Sequence, residues 1–465
     1  MVGSAAYGLS RVPLLRGGSY DLVILNARVM DPETKLDAIR NVGIRSGRIA
    51  TITKNSITAT VRVDGTGLVL CPGFIDPIAH GQDLENDLIQ VQDGVTTKLQ
   101  MEVGALEVAK WYEDQKGNRI CNFGCAASHV RTRSKVLNDK DVAASDSEIA
   151  QMKVLVNKGL LEGGLGVGFG LEYQPAASRW EVLEMFRVAG QHKASCHVHA
   201  RYGTLIEEQS VLQAIEEIMA ASLISGAPVH MVHVPSMALG KTNQALAMIE
   251  QAQARGFDMT CDAYPYTAFG TGIDTEVFAP GWQEKFGISY GDLEWAKTHE
   301  RLTKETFEKY QKEGGMVLAH AIPESAVELA VKSKATMIGS DGGFKNGVGH
   351  PRGAGTFSRV LGRYVREKKL LSLMEAIGKM TLRPAKRFEK RCEAFRFKGR
   401  VQVGADADLV LFDPSTILDR ATYDKPTTPS VGIAGVWIHG VRVVSEGKVL
   451  EGRRPGVGLR APISR

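Results

Sequence analysis

The chain has 465 residues, 43% hydrophobic and 23% charged, with a net charge of +5. That length buries a large core and exceeds one small domain. The charge is mild and dispersed, which argues against nucleic-acid or membrane partners, and no apolar run reaches the ~20 residues needed to span a bilayer.

Residues 1–19 lack the apolar core of a signal peptide and read as a disordered lead-in. From Tyr20 short β runs follow, Asp21–Leu25, Asn41–Ile44, Ile49–Ile52 and Thr58–Val63, broken by Asp31-Pro32, Ser46-Gly47 and Asp64-Gly65 turns. Residues 20–70 are the first part of a small β-sandwich domain. Residues 71–395 alternate strands with helices. The strand candidates are Phe74–His80, Val95–Leu99, Asn122–Ala126, Gly164–Phe169, Ala194–His199, Pro228–Val234, Asp258–Ala263, Met316–His320 and Met337–Gly339. Helices are expected at 204–225 and 242–255, among others. Residues 396–465 return to β texture, with Ala407–Phe412 and a hairpin turning at His439-Gly440.

The predicted fold is therefore an α/β (β/α)8 TIM-like barrel inserted into a discontinuous β-sandwich built from both chain ends. A doubly wound open sheet is the competing reading. Six Cys with no CxxC pair read as reduced, buried thiols of a cytoplasmic protein, and packing is preferred to a metal role for Cys121 and Cys125.

The polar residues fall where a barrel places its active site, at the C-terminal ends of strands. His80 ends the first strand, Glu102 follows the second and His129 the third. His197 and His199 end the fifth, His230 and His233 lie on the sixth, and Asp341 ends the last. Singly, each has a plainer reading: a lone His is more often a core hydrogen-bonder, Glu102 pairs with Lys98 or an Arg, and Asp341 caps a loop. Together, two imidazoles, a bridging-capable carboxylate and a further Asp suit Zn²⁺ with a position open for water. The Asp is the natural base for that water.

Longer stretches carry a resemblance: Pro72–Asp76, Asp93–Thr97, Gly170–Pro175, His199–Arg201, Asp262–Thr267, Gly339–Gly342, His350–Phe357 and Gly399–Leu409. On these the chain resembles the D-aminoacylase (N-acyl-D-amino-acid deacylase) branch of the amidohydrolase superfamily. The resemblance implies a hydrolase of C–N bonds other than peptide bonds, acting on the amide of an N-acyl amino acid or a related small molecule. It implies a tightly held metal on His199, His233 and a bridging residue after the second strand, often Cys. Val103 stands in that Cys register here, and Glu102 beside it matches a sub-branch that uses Glu. A looser second position would use His80 and Asp341, with Asp341 as general base and acid. Arg352 would hold the substrate carboxylate, Tyr266 would hydrogen-bond substrate or oxyanion, and His129 and Arg201 would orient substrate. A homo-oligomer is left open.

Two departures stand out. The Lys often found after the sixth-strand His is absent from His233-Val234-Pro235-Ser236, and the family's Pro-Gly-Phe-Ile-Asp-x-His-x-His pattern has Ile78 at its first His. Three readings of Ile78 follow. One zinc suffices for amide hydrolysis, or the altered pocket performs cyclisation, condensation or isomerisation, or metal binding has failed and the protein only binds. His197 either replaces the missing ligand or packs.

Overall fold

The computed structural model describes residues 20–137, 141–203, 205–206 and 209–463. The expected lead-in at 1–19 and the start of the expected helix at 204 lie outside the described residues.

Eight parallel strands form one sheet: β1 (Phe74–Asp76), β2 (Val95–Ala105), β3 (Asn122–Ser128), β4 (Gly166–Gly170), β5 (Ser195–His199), β6 (Val229–Met231), β7 (Met259–Ala263) and β8 (Thr336–Ile338). They pair in order from β1 to β8. Strands such as β3, β4 and β5 are buried at every position, as expected for a parallel sheet covered on both faces. The two edges meet beyond the strand ends: Ala79 pairs with Gly342, and Asp341 N donates to Ile78 O at 2.8 Å. Lower down, Ser340 N donates to Asp76 Oδ1 at 2.9 Å. The residues that close the barrel thus border His80 and Asp341. This is a (β/α)8 barrel.

One expected barrel strand belongs elsewhere. Met316–Ala319 pairs antiparallel with Phe269–Gly272 and Leu293–Trp295, in a three-stranded sheet inserted between β7 and β8. A short apolar run reads the same in either setting, and only its pairing partner distinguishes them. A further hairpin, Phe344–Lys345 with Val348–Gly349, follows β8.

The chain ends build a nine-stranded sheet, in which Val69–Pro72 from the first part pairs with Leu409–Phe412 from the second. Its hairpin turns at His439 (φ 48) and Gly440 (φ 74), joining Ile433–Ile438 to Val441–Ser445. Two positive φ values match the right-handed twist of the flanking strands. Among the described residues, no helix is long and apolar enough to cross a membrane.

Candidate metal centre

Glu102 lies on an irregular stretch of β2. The register with β3 shifts between Gln100 and Ala105, so four β2 residues oppose one on β3. Two glycines permit this: Gly104 adopts φ +65, and a Cβ on Gly168 of β4 would lie 2.3 Å from Glu102 O. The bulged stretch presents the Glu102 carboxylate to the cavity at the barrel mouth.

Three imidazoles reach that carboxylate. His199, the last residue of β5, places Nδ1 2.8 Å from Glu102 Oε1. His233, two residues past β6, places Nε2 3.6 Å from the same oxygen. His80, four residues past β1, places Nε2 3.0 Å from Oε2 and 2.8 Å from Asp341 Oδ1. The ligand atoms of Glu102, His199 and His233 lie within 4.8 Å of one another, and so do those of His80, Glu102 and Asp341. Glu102 is common to both sets.

Backbone and neighbours fix these side chains. His233 adopts φ +33, and its N–H donates to Asp262 Oδ1 at 2.6 Å. Ser236 Oγ donates to His233 O at 2.8 Å and therefore accepts from Nδ1, also at 2.8 Å. That assignment puts a proton on Nδ1 and leaves Nε2 as the nitrogen directed at Glu102. On His199, Nε2 lies 3.0 Å from Glu172 Oε2, while Lys285 Nζ donates to Glu172 Oε1 at 2.7 Å. Glu172 so accepts a hydrogen bond from Nε2–H and leaves Nδ1 for Glu102 or an ion.

Electrostatics follow from this crowding. Burial pushes Glu102 up, but the neighbouring imidazoles of His199, His233 and His80 hold it well below the usual carboxylate range. Burial opposes charge on His80, yet Asp341 and Glu102 raise it to about 10. His199 is likewise raised to about 9 against burial, by Glu102 and Glu172. Asp341, raised by burial, is lowered on balance by Arg352, His233 and His80. Without an ion His80 and His199 carry protons between carboxylates, which is how a nitrogen–oxygen metal site balances its charge. Buried Glu102 Oε2 has His80 as an ion-pair neighbour but makes no well-aligned hydrogen bond. Two imidazoles and a carboxylate with open space beside them fit a zinc-type ion.

Arg352 opens the helix Arg352–Arg359. Its Nη1 lies 2.8 Å from Asp341 Oδ2, and its guanidinium sits 4.6 Å over the Tyr264 ring. It lines the same cavity of about 800 Å³ as His80, Glu102, His199, His233 and Asp341.

Three expected substrate contacts are placed elsewhere. His129 is fully buried, with Nε2 2.7 Å from Glu181 Oε1, where Arg133 also bonds. Arg201 is spent on Glu217 and Pro175 O. The Tyr266 hydroxyl faces Pro351 O and Asp419, both at 3.4 Å, and Tyr264 lines the cavity instead. In each case the strand-end position is right but the side chain turns into packing or a neighbouring ion pair. His197 packs between His230 and Phe388 and bonds Ser195 Oγ at 2.9 Å. Lys98 pairs with Asp87 rather than Glu102. Sequence reasoning assigned no role to Glu172, Ser236, Lys285 or Tyr264. Glu172 and Tyr264 lie within the stretches Gly170–Pro175 and Asp262–Thr267, which were a usable signal. Ser236 and Lys285 had none.

A (β/α)8 barrel with imidazoles and carboxylates converging at its strand ends defines an amidohydrolase-type hydrolase. Residues 174–444 match the model of the amidohydrolase family. The chain belongs to this family and is an enzyme that hydrolyses C–N bonds other than peptide bonds. It is 31% identical to a D-aminoacylase of Alcaligenes xylosoxydans xylosoxydans, covering 92% of this chain and 95% of that protein. A zinc-bound N-acyl-D-glutamate deacylase of Bordetella bronchiseptica, complexed with a phosphonate mimic of the tetrahedral intermediate, superposes with a TM-score of 0.83 at 28% identity. It covers 96% of this chain and 100% of its own. A D-aminoacylase described by its binuclear centre, with one-metal activation and second-metal attenuation, also scores 0.83, at 27% identity and 95% and 100% coverage.

Proposed function

We propose that the chain hydrolyses the amide bond of an N-acyl amino acid with one tightly bound zinc. Glu102, His199 and His233 hold that ion, and His80 and Asp341 with Glu102 form a looser second position. The observation that carries this reading is the shared Glu102 carboxylate, which joins one set of two anchored imidazoles to a second set with only one imidazole. Ile78 stands where the family pattern has the first His of the pair. It is buried, and a Cβ on Gly339 would meet its Cγ2 at 2.5 Å. An aliphatic side chain packed there supplies no ligand, which favours one ion over two.

When bound, zinc supplies a Lewis acid that polarises the substrate carbonyl and acidifies water. The protein's own groups do the rest. The Asp341 carboxylate takes a proton from the attacking water as its oxygen bonds the amide carbon, then delivers that proton to the leaving nitrogen as the C–N bond breaks. Arg352 offers a planar guanidinium to the substrate carboxylate, for which bidentate pairing is the favoured geometry. Tyr264 replaces Tyr266 as the hydroxyl offered to substrate. Glu172 and Ser236 hold the two imidazoles in ligand-ready tautomers. Six free, buried cysteines support a reducing, cytoplasmic setting.

The test combines zinc analysis with amine release. One zinc per chain and free amino acid from N-acyl amino acids are expected. A chain that stays metal-free after reconstitution, or one that binds zinc but releases no amine, overturns the proposal.

A further inference from the structure

The cavity over the metal centre has a neighbour. A second cavity of about 540 Å³ is lined by Trp295, Tyr310, Gly314, Gly315, Met316 and Val348. Met316 and Val348 also line the first cavity. The two spaces therefore adjoin, with Met316 of the inserted sheet and Val348 of the hairpin after β8 common to both linings.

The two spaces differ in chemistry. In the first, the imidazoles and carboxylates converge with Arg352, while Phe269, Val277, Phe286 and Met316 of the insertion supply an apolar wall. In the second, the Trp295 and Tyr310 rings, stacked face to face at 4.2 Å and 4°, form an aromatic wall, with Lys309 Nζ 4.9 Å from the Tyr310 centroid. Gly315 (φ +136) is needed there, since a Cβ would sit 2.6 Å from the Trp295 ring. Lys297, Thr298, Lys309 and Glu313 form its polar side, where Lys309 and Glu313 lie 3.9 Å apart and offset each other. Met316 between the two is an unbranched, adaptable side chain suited to a passage.

We propose that the second cavity is a substrate subsite that receives an extended apolar chain, about six carbons or longer, whose burial provides binding. This rests on the N-acyl amino acid reading above. The first cavity alone has the volume of sites that enclose drug-sized ligands, roughly 300–1,000 Å³, whereas an N-acetyl amino acid of about a dozen non-hydrogen atoms leaves much of it and all of the second space uncovered. With the carboxylate on Arg352 and the amide at the metal centre, either the acyl group or the amino-acid side chain would extend past Met316 into the second space. The experiment separates these two sources.

The test uses zinc-loaded, full-length protein and two substrate series. One varies the acyl group from acetyl to decanoyl on a fixed amino acid, and the other varies an unbranched amino-acid side chain under a fixed acetyl group. In one series kcat/KM is expected to climb by about fourfold per methylene buried. In Val348→Trp, which narrows the passage at a half-buried hairpin position, the ratio of long-chain to short-chain kcat/KM is expected to fall toward one. Met316→Trp provides a second variant if the first does not fold. Hydrolysis that is flat across both series, or a length preference unchanged in both folded variants, overturns the subsite while leaving the deacylase reading intact. No hydrolysis of any member overturns both.

Discussion

The two ligand sets at the barrel mouth share Glu102 but are built differently. His199 and His233 are buried, and each has its second ring nitrogen occupied, by Glu172 and by Ser236. His80 has a third of its side chain exposed, holds two carboxylates through Nε2 alone, and has no described hydrogen bond at Nδ1. Its partner Asp341 is shared with Arg352. A ring held at both nitrogens keeps one tautomer and one direction, which suits a permanent ligand. A carboxylate shared between an imidazole and a guanidinium exchanges partners, which suits a group that receives and returns a proton. In the proposed reading the first set holds the ion, and the second handles substrate and protons.

The largest expected break in this contrast is Asp341→Asn. Turnover should fall by about 10²–10⁴-fold, the usual worth of a general acid–base group, while zinc at the first set is retained. Full activity in that mutant would remove Asp341 as the base. Next, Glu172→Gln should weaken zinc by about 10–100-fold, the usual effect of losing an outer partner of a ligand His, as read by competition with a chelator. A chelator profile matching the unmodified protein would make Glu172 a bystander. Ile78→His should raise zinc content from one toward two per chain by elemental analysis. Stoichiometry held at one would mean that packing against Gly339 keeps position 78 out of the site.

The smallest effect concerns pH in the metal-free protein. His80 is raised to about 10 and His199 to about 9, above the unfolded value near 6.5. Raised folded values mean this stabilisation is fully present below pH 6.5 and is lost as pH climbs through 9 and 10. The thermal midpoint of metal-free protein should therefore decline across that window. His80→Gln should flatten the decline, and a slope identical to the parent's would show that the imidazolium contributes nothing. Zinc must also displace these protons, so uptake should release them, as seen in calorimetry with buffers of different ionisation heat.

Much of this architecture is visible in the chain. Alternating strand and helix patterns define the barrel, because buried parallel strands demand apolar runs of limited length. Glu102, His199, His233, His80 and Asp341 are recognisable because each follows such a run, and the structure brings all five together. Arg201 and Tyr266, offered by the resemblance, turn away from the cavity, and His129 was mislaid by the same rule. It locates a Cα at the strand end but not the direction of the side chain, and Glu181, Glu217 and Asp419 each captured one. Lys285 lies 113 residues from Glu172, and nothing local announces their pairing.

The amino-acid sequence alone determined the residue types available for metal chemistry and their order along β1 to β8, since both are local properties of short stretches. It also determined that position 78 carries no ligand. Only the tertiary structure decided that one carboxylate serves both ligand sets, that Tyr264 rather than Tyr266 faces the cavity, and that the insertion walls a second chamber. Those outcomes depend on a bulge in β2, on the antiparallel pairing of Met316–Ala319 and on ion pairs between distant elements. Each is a contact between residues remote in the chain, and strand periodicity carries no information about which remote partner a side chain will meet.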